Sequence, residues 1–201
     1  MGLQLIFVVE TNKKCKSDWI YIKDTIDRFY QYDQAQIKFS PVYMDGKGKF
    51  KNKEKEISSL ISQYIAGNKK NQTKVIFCFD CDDYDSKPED AEFLVNAKRY
   101  CDEKGYDFIW FCKDIERVYL GKKVDDSQKK KESATFKAKK LIDAVDKSKL
   151  IVKDYRANII NPQSSCNLTL LESISFIFLN FSIIHPINHP FFTSVTEYIT
   201  E

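Results

Sequence analysis

Carboxylates gathered at one edge of a domain can hold a metal ion or move protons, and three in this chain stand where that is feasible. Glu10 closes the apolar run Leu3-Gln-Leu-Ile-Phe-Val-Val9, and Asp80 and Asp82 close the run Val75-Ile-Phe-Cys-Phe79. Neighbouring strands lie ~4.8 Å apart, so if these two runs are neighbours, Glu10 can share a cation with the aspartates or bind a second one. Period-two alternation predicts that Asp80 and Asp82 project the same way, as a pair of oxygen ligands for a hard cation must. Magnesium, or manganese in its place, suits the set, because it accepts a few carboxylates and leaves positions for water and phosphate oxygens. Several carboxylates at one apolar edge are costly unless a cation neutralises them.

Lys13, Lys14 and Lys16 directly follow Glu10 and suit contact with the phosphates of a polyanion on the same rim. The lysine-rich run 47–55 reads better as a solvated, mobile crossover. Cys78-x-x-Cys81 lies within an expected strand, where alternation points the two sulfurs to opposite faces, so core packing is expected rather than zinc or redox chemistry. His185 and His189 stand beside Pro186 and Pro190, which prevent a regular helix from aligning them on a metal. No Walker loop and no Gly-x-Gly-x-x-Gly follows a strand, which argues against a built-in ATPase or dinucleotide site.

The elements that must position these residues alternate in type. The run ending at Val9 predicts a strand buried on both faces, and residues 41–44, 74–79 and 107–112 predict three more. Between them, Trp19, Ile22, Ile26, Phe29 and Tyr30 recur at helical spacing, as do Ile57, Leu60, Ile61, Tyr64 and Ile65, with Gly67 as a stop. Ala91, Leu94, Ala97 and Cys101 form a third stripe, introduced by a Ser86-x-x-Glu89 capping box with Pro88 in the first turn and ended by Gly105. Residues 115–120 predict a short helix, and Ala134, Ala138, Leu141, Ile142 and Val145 a longer one. Four strand–helix alternations specify an α/β fold: an open, mainly parallel four-stranded sheet flanked by helices, with ligands expected beyond the strands' carboxyl ends.

The chain has 201 residues, 43% hydrophobic and 30% charged, which suits one sizeable core and excludes a disordered class. A net charge of +3 gives no global positive field. The expected division is an α/β domain over 1–152 and an apolar extension over 153–201. After Arg156 there is no Lys or Arg, and residues 168–187 are apolar apart from Glu172 and scattered polar groups. That carboxylate and the missing basic flank favour a helical segment packed on the domain or a partner over one in a membrane. No basic leader opens the sequence, so a cytoplasmic setting with reduced thiols is expected.

Leu5-Ile-Phe-Val-Val-Glu10 followed by a helix, with Val75-Ile-Phe-Cys-Phe-Asp80-Cys-Asp82, resembles the Toprim core of topoisomerases, primases and overcoming-lysogenization-defect nucleases. The similarity is closer to the small RloB-like Toprim proteins of bacterial restriction and anti-phage loci. Ile115-Glu116-Arg-Val-Tyr119-Leu120 resembles their acidic, aromatic helix after the fourth strand. The resemblance covers residues 3–145. It implies a Toprim-like fold and magnesium-dependent cleavage of phosphodiester bonds in DNA or RNA. Glu10 would be general acid/base or metal ligand, Asp80 and Asp82 magnesium ligands, and Glu116 an accessory acid. It further implies an anti-phage or restriction setting, with an ATPase or other defence-system partner, or a second copy of the chain. Toprim proteins commonly place Gly after the first Glu, whereas Thr11 stands here, which tells against full activity. Two rival readings remain: a catalytically weak scaffold subunit of a defence complex, and a receiver-like phospho-signalling domain.

Overall fold

The computed structural model describes residues 1–145 and the backbone of Ile184–Pro186. Its centre is β1 (Leu3–Val9), buried at every position because it lies inside a sheet covered on both sides. The order of elements is β1, α1 (Ser17–Phe29), β2 (Tyr30–Tyr32), β3 (Ile37–Tyr43), α2 (Glu54–Gly67), β4 (Gln72–Asp80), α3 (Pro88–Lys104), β5 (Asp107–Phe111), α4 (Ile115–Leu120), α5 (Asp126–Ala138) and β6 (Ile184–Pro186). Strands β3, β1, β4 and β5 form one parallel sheet in that order, with Val8 opposite both Val42 and Phe77. The expected α/β fold, an open four-stranded parallel sheet flanked by helices, is the one observed.

Alternation along each strand builds two cores. Leu3, Leu5, Phe7 and Val9 join Ile76, Cys78 and Ile109 beneath Tyr21, Ile22 and Ile26 of α1, Tyr119 of α4 and Phe136 of α5. Ile6, Val8, Val75, Phe77 and Phe79 face Ile57 of α2 and Leu94, Ala97 and Cys101 of α3. Cys78 and Cys81 accordingly belong to opposite faces, as alternation requires. The apolar run of β1 also contains a fully buried amide. Gln4 donates to the Ser40 hydroxyl at 2.9 Å and accepts from the Thr73 hydroxyl at 3.2 Å, joining β3, β1 and β4.

Several expected boundaries move. The second parallel strand begins at Ile37 and carries Pro41 inside it, which is tolerated because β3 is an edge strand. The capping box does not form: the Ser86 hydroxyl donates to the Asp83 carbonyl instead, although Pro88 does open α3 and Gly105 closes it in the left-handed region. The last long helix breaks after Ala138, and Leu141–Ala144 form a separate tight turn once Lys140 takes a φ of 53°. The three-residue strand β2 was not anticipated; it pairs antiparallel with β6, so Ile184–Pro186 are extended rather than helical. The rest of the 153–201 extension, its domain boundary and His189 lie outside the described residues. Among the described residues no helix is long and apolar enough to cross a membrane.

The run 47–55 is solvent-exposed at Gly48, Lys49, Lys51, Asn52 and Lys55, as expected of a solvated crossover, but it is wound in helix rather than loose. Lys47–Lys53 wind into a tight helical turn anchored by Phe50, whose ring meets Phe79, Phe93 and Tyr100 edge-on at 5.8, 5.8 and 5.1 Å. Phe50 is buried, and replacing it with Ala removes an aromatic side chain from a packed core. Phe50→Ala should therefore lower unfolding free energy by about 3–5 kcal/mol, read from urea denaturation. A loss below about 1 kcal/mol would show that the turn is not held by this ring.

Candidate metal centre at the sheet edge

At the carboxyl end of β1 and β4 the chain gathers four acids, Asp18 and Glu116 buried and Glu10 and Asp80 half-buried. The parallel register sets Glu10 beside the last residues of β4, and its Oε1 accepts the Asp80 N–H at 2.8 Å. Asp80 Oδ1 in turn accepts the Ile115 N–H at 3.0 Å, at the start of α4. Asp18, in the first turn of α1, accepts the Thr11 N–H at 3.0 Å and the Ser17 hydroxyl at 3.1 Å. Glu116 is fully buried, and neither of its oxygens has a hydrogen-bond partner. Its nearest cation is Lys129 of α5, whose Nζ lies 3.7 Å from Oε2.

Enclosure sets the electrostatics. Burial pushes the Glu10 carboxyl up to about 8, with Asp18 and Asp82 adding repulsion against the Asp80 N–H and Lys47. Burial likewise raises Glu116 to about 7, opposed by Lys129. It holds Asp80 well above the usual carboxylate range, with Glu10, Asp18 and Glu116 repelling in the same direction. Asp18 is raised by burial too. Burial pulls the Lys129 ammonium down, but Glu116, Asp80 and Asp126 outweigh that and leave it raised.

The structure brings Glu10, Asp80 and Glu116 into one cluster, with Asp82 near enough to Glu10 to repel it. β4 ends at Asp80, and Asp82 takes a left-handed φ of 47°, so strand alternation does not reach it. Its carboxylate accepts instead from Lys47 Nζ at 2.5 Å, and its N–H bonds the Lys113 carbonyl at 2.7 Å. Strand alternation, the ground for expecting Asp80 and Asp82 to project the same way, is thereby removed. Among the described residues no three His, Cys, Asp or Glu side chains stand in a ligating group. The donor chemistry nonetheless fits a hard divalent ion, because the cluster offers carboxylate oxygens only and Glu116 keeps two of them unbonded.

Lys13, Lys14 and Lys16 are exposed in the loop between β1 and α1, and Lys13 lies 3.6 Å from Glu56. Asp18, Lys47 and Lys129 were missed as site residues. The signal for Asp18 was its spacing: it precedes Tyr21, Ile22 and Thr25 on the buried stripe of α1. Lys129 similarly lies one and two turns before Ser133 and Phe136, the buried face of α5.

Comparison with known proteins returns no match, whether against protein-family models, curated proteins or solved structures.

The raised carboxyls link stability to pH. Between about pH 4.5, the ordinary value for Glu, and about 8, the folded chain binds more protons than the unfolded one. Stability supplied by the protonated form is complete below that window and is lost as pH rises through it. Chelator-treated protein should therefore melt progressively lower from pH 5 to pH 8, and Glu10→Gln should flatten the slope. A melting temperature that rises over this range would overturn the assignment.

Proposed function

We propose that this chain is a divalent-metal-dependent phosphodiesterase acting on nucleic acid, with its centre at the Glu10–Asp80 edge. The observation that carries the reading is the enclosure of Glu10, Asp18, Asp80 and Glu116 around one strand end, with both Glu116 oxygens unbonded. Such a cluster is satisfied by protons or by a hard cation, and the open end of a parallel sheet is where ligands enter. Glu10, Asp80 and Asp82 would hold magnesium or manganese. When bound, the ion supplies charge to polarise a phosphate and acidify a water.

The chain's own residues have defined tasks in this reading. Glu10, fixed at the strand end by the Asp80 N–H, is the group placed to take a proton from the attacking water and return one to the leaving oxygen. The Asp80 N–H fixes the rotamer of Glu10, and the Ile115 N–H fixes that of Asp80. Glu116, held within range of Lys129, is an accessory acid. Lys13, Lys14 and Lys16 supply exposed positive charge for the backbone of DNA or RNA. The cytoplasmic anti-phage or restriction setting, with an ATPase partner or a second copy, belongs to the same proposal through the Toprim resemblance.

A catalytically weak scaffold is the second reading, favoured by one observation: an internal cation, Lys47, already neutralises Asp82. Cleavage of mixed DNA and RNA with magnesium or manganese separates the two. Glu10→Gln should keep the fold, since its side-chain oxygen still accepts the Asp80 N–H, while lowering the single-turnover rate by about 10²-fold or more. Asp80→Asn should keep the Ile115 bond yet weaken metal binding. Equal cutting by wild type and Glu10→Gln would remove Glu10 from the chemistry. No cutting of any substrate by wild type would leave the scaffold.

A further inference from the structure

The tight turn after β3 delivers a single cation to the acidic edge. Lys47 Nζ lies 2.5 Å from Asp82 and 2.7 Å from Asp90, and stands 5.1 Å over the Phe93 ring. The other lysines of the turn face elsewhere: Lys49 pairs with Asp45, Lys53 with Glu56, and Lys51 lies over Phe50 and Tyr100. Its backbone is fixed at both ends. The Gly46 N–H donates to the Glu10 carbonyl at 2.9 Å, with Gly46 at a φ of 106° that suits glycine, and Phe50 is set in the aromatic core. The Lys47 side chain is therefore the movable part. It is a quarter exposed, on a four-carbon stem, beside the carboxylate that the metal-dependent reading assigns to the ion.

An ammonium and a divalent ion cannot both sit against the same carboxylate without strong repulsion. We propose that Lys47 is a phosphate-binding residue held in reserve. Its ammonium neutralises Asp82 and Asp90 while the edge carries no metal, and a divalent ion on Asp82 leaves it Asp90 alone, so that it turns to contact the phosphate of the nucleic acid. The inference rests on the metal-dependent reading above and adds the residue that couples metal uptake to substrate binding.

The test uses the full chain, wild type against Lys47→Met, with magnesium alone followed by a short oligonucleotide in a Glu10→Gln background that limits cutting. Calorimetry should show magnesium binding several-fold tighter in Lys47→Met, with a larger metal-induced rise in melting temperature, because the competing ammonium is gone. With magnesium present, the slope of log affinity against log salt should fall by roughly 0.7–0.9, one phosphate contact, relative to the parent. Without magnesium the two slopes should agree, since Lys47 is then engaged by Asp82 and Asp90. Lys47→Arg should restore the magnesium-dependent slope, and Lys47→Gln serves the same comparison if the Met variant does not fold. Unchanged or weaker magnesium affinity in Lys47→Met, beside a wild type that binds magnesium, overturns the proposal and spares the metal reading. A wild type that binds no divalent ion overturns both.

Discussion

An ionised carboxylate enclosed by protein loses several kcal/mol of hydration unless something nearby replaces the water. This chain places four carboxylates, two buried and two half-buried, at one strand end, and much of its architecture is arranged around satisfying them. The Thr11 N–H after β1 is directed at Asp18, the Ile115 N–H at the start of α4 at Asp80, and the N–H of Asp80 at Glu10. α5 packs across α1 and carries Lys129 to Glu116. The crossover after β3 folds back to set Lys47 against Asp82. Several loops at this edge adopt left-handed residues, Lys16, Asp45, Asp82 and Lys113, a conformation that costs free energy for side chains other than glycine.

The acids form two shells with different solvation. Asp18 and Glu116 are buried and Glu10 and Asp80 half-buried, and their charge is expensive. Asp82, Asp83, Asp85 and Asp90 lie further out and are neutralised by Lys47, Lys87 and Lys113. Pairs of the second kind keep more water around them, and the exposed one between Lys87 and Asp83 contributes little to stability. The outer shell therefore sets local charge and orientation, whereas the inner shell sets the pH response.

Periodicity in the sequence carried the four parallel strands and the flanking helices, because each element's own residues determine which face is apolar. It placed Cys78 and Cys81 on opposite faces for the same reason. It failed at Asp82, where one left-handed residue ends the alternation, and at Lys47, whose partners are set by how a turn packs on α3. Asp18 was legible only as a helix start, although its place on the buried stripe of α1 distinguished it. Lys129 stood in a run of three lysines whose members are alike in sequence. Only the docking of α5 separates the one that reaches a carboxylate. The Ser86 box shows the opposite failure, a motif present in sequence whose serine is drawn to the Asp83 carbonyl by the local turn.

The buried amide of Gln4 gauges distance along the sheet. A one-residue slip of β1 would send every side chain to the opposite face, but a two-residue slip returns each to its own. Gln4 opposes that freedom, because it stands in register with Thr73 and a two-residue slip in either direction takes its amide oxygen off that hydroxyl, at about 1–3 kcal/mol if it is left buried and unpaired. A slip of that size would also carry Glu10 about 6.6 Å along the strand, at 3.3 Å per residue, away from the Asp80 N–H. A polar contact at one end of the sheet thus calibrates the reach of an acid at the other, and changes at Gln4 would be felt as misalignment at a site it never touches.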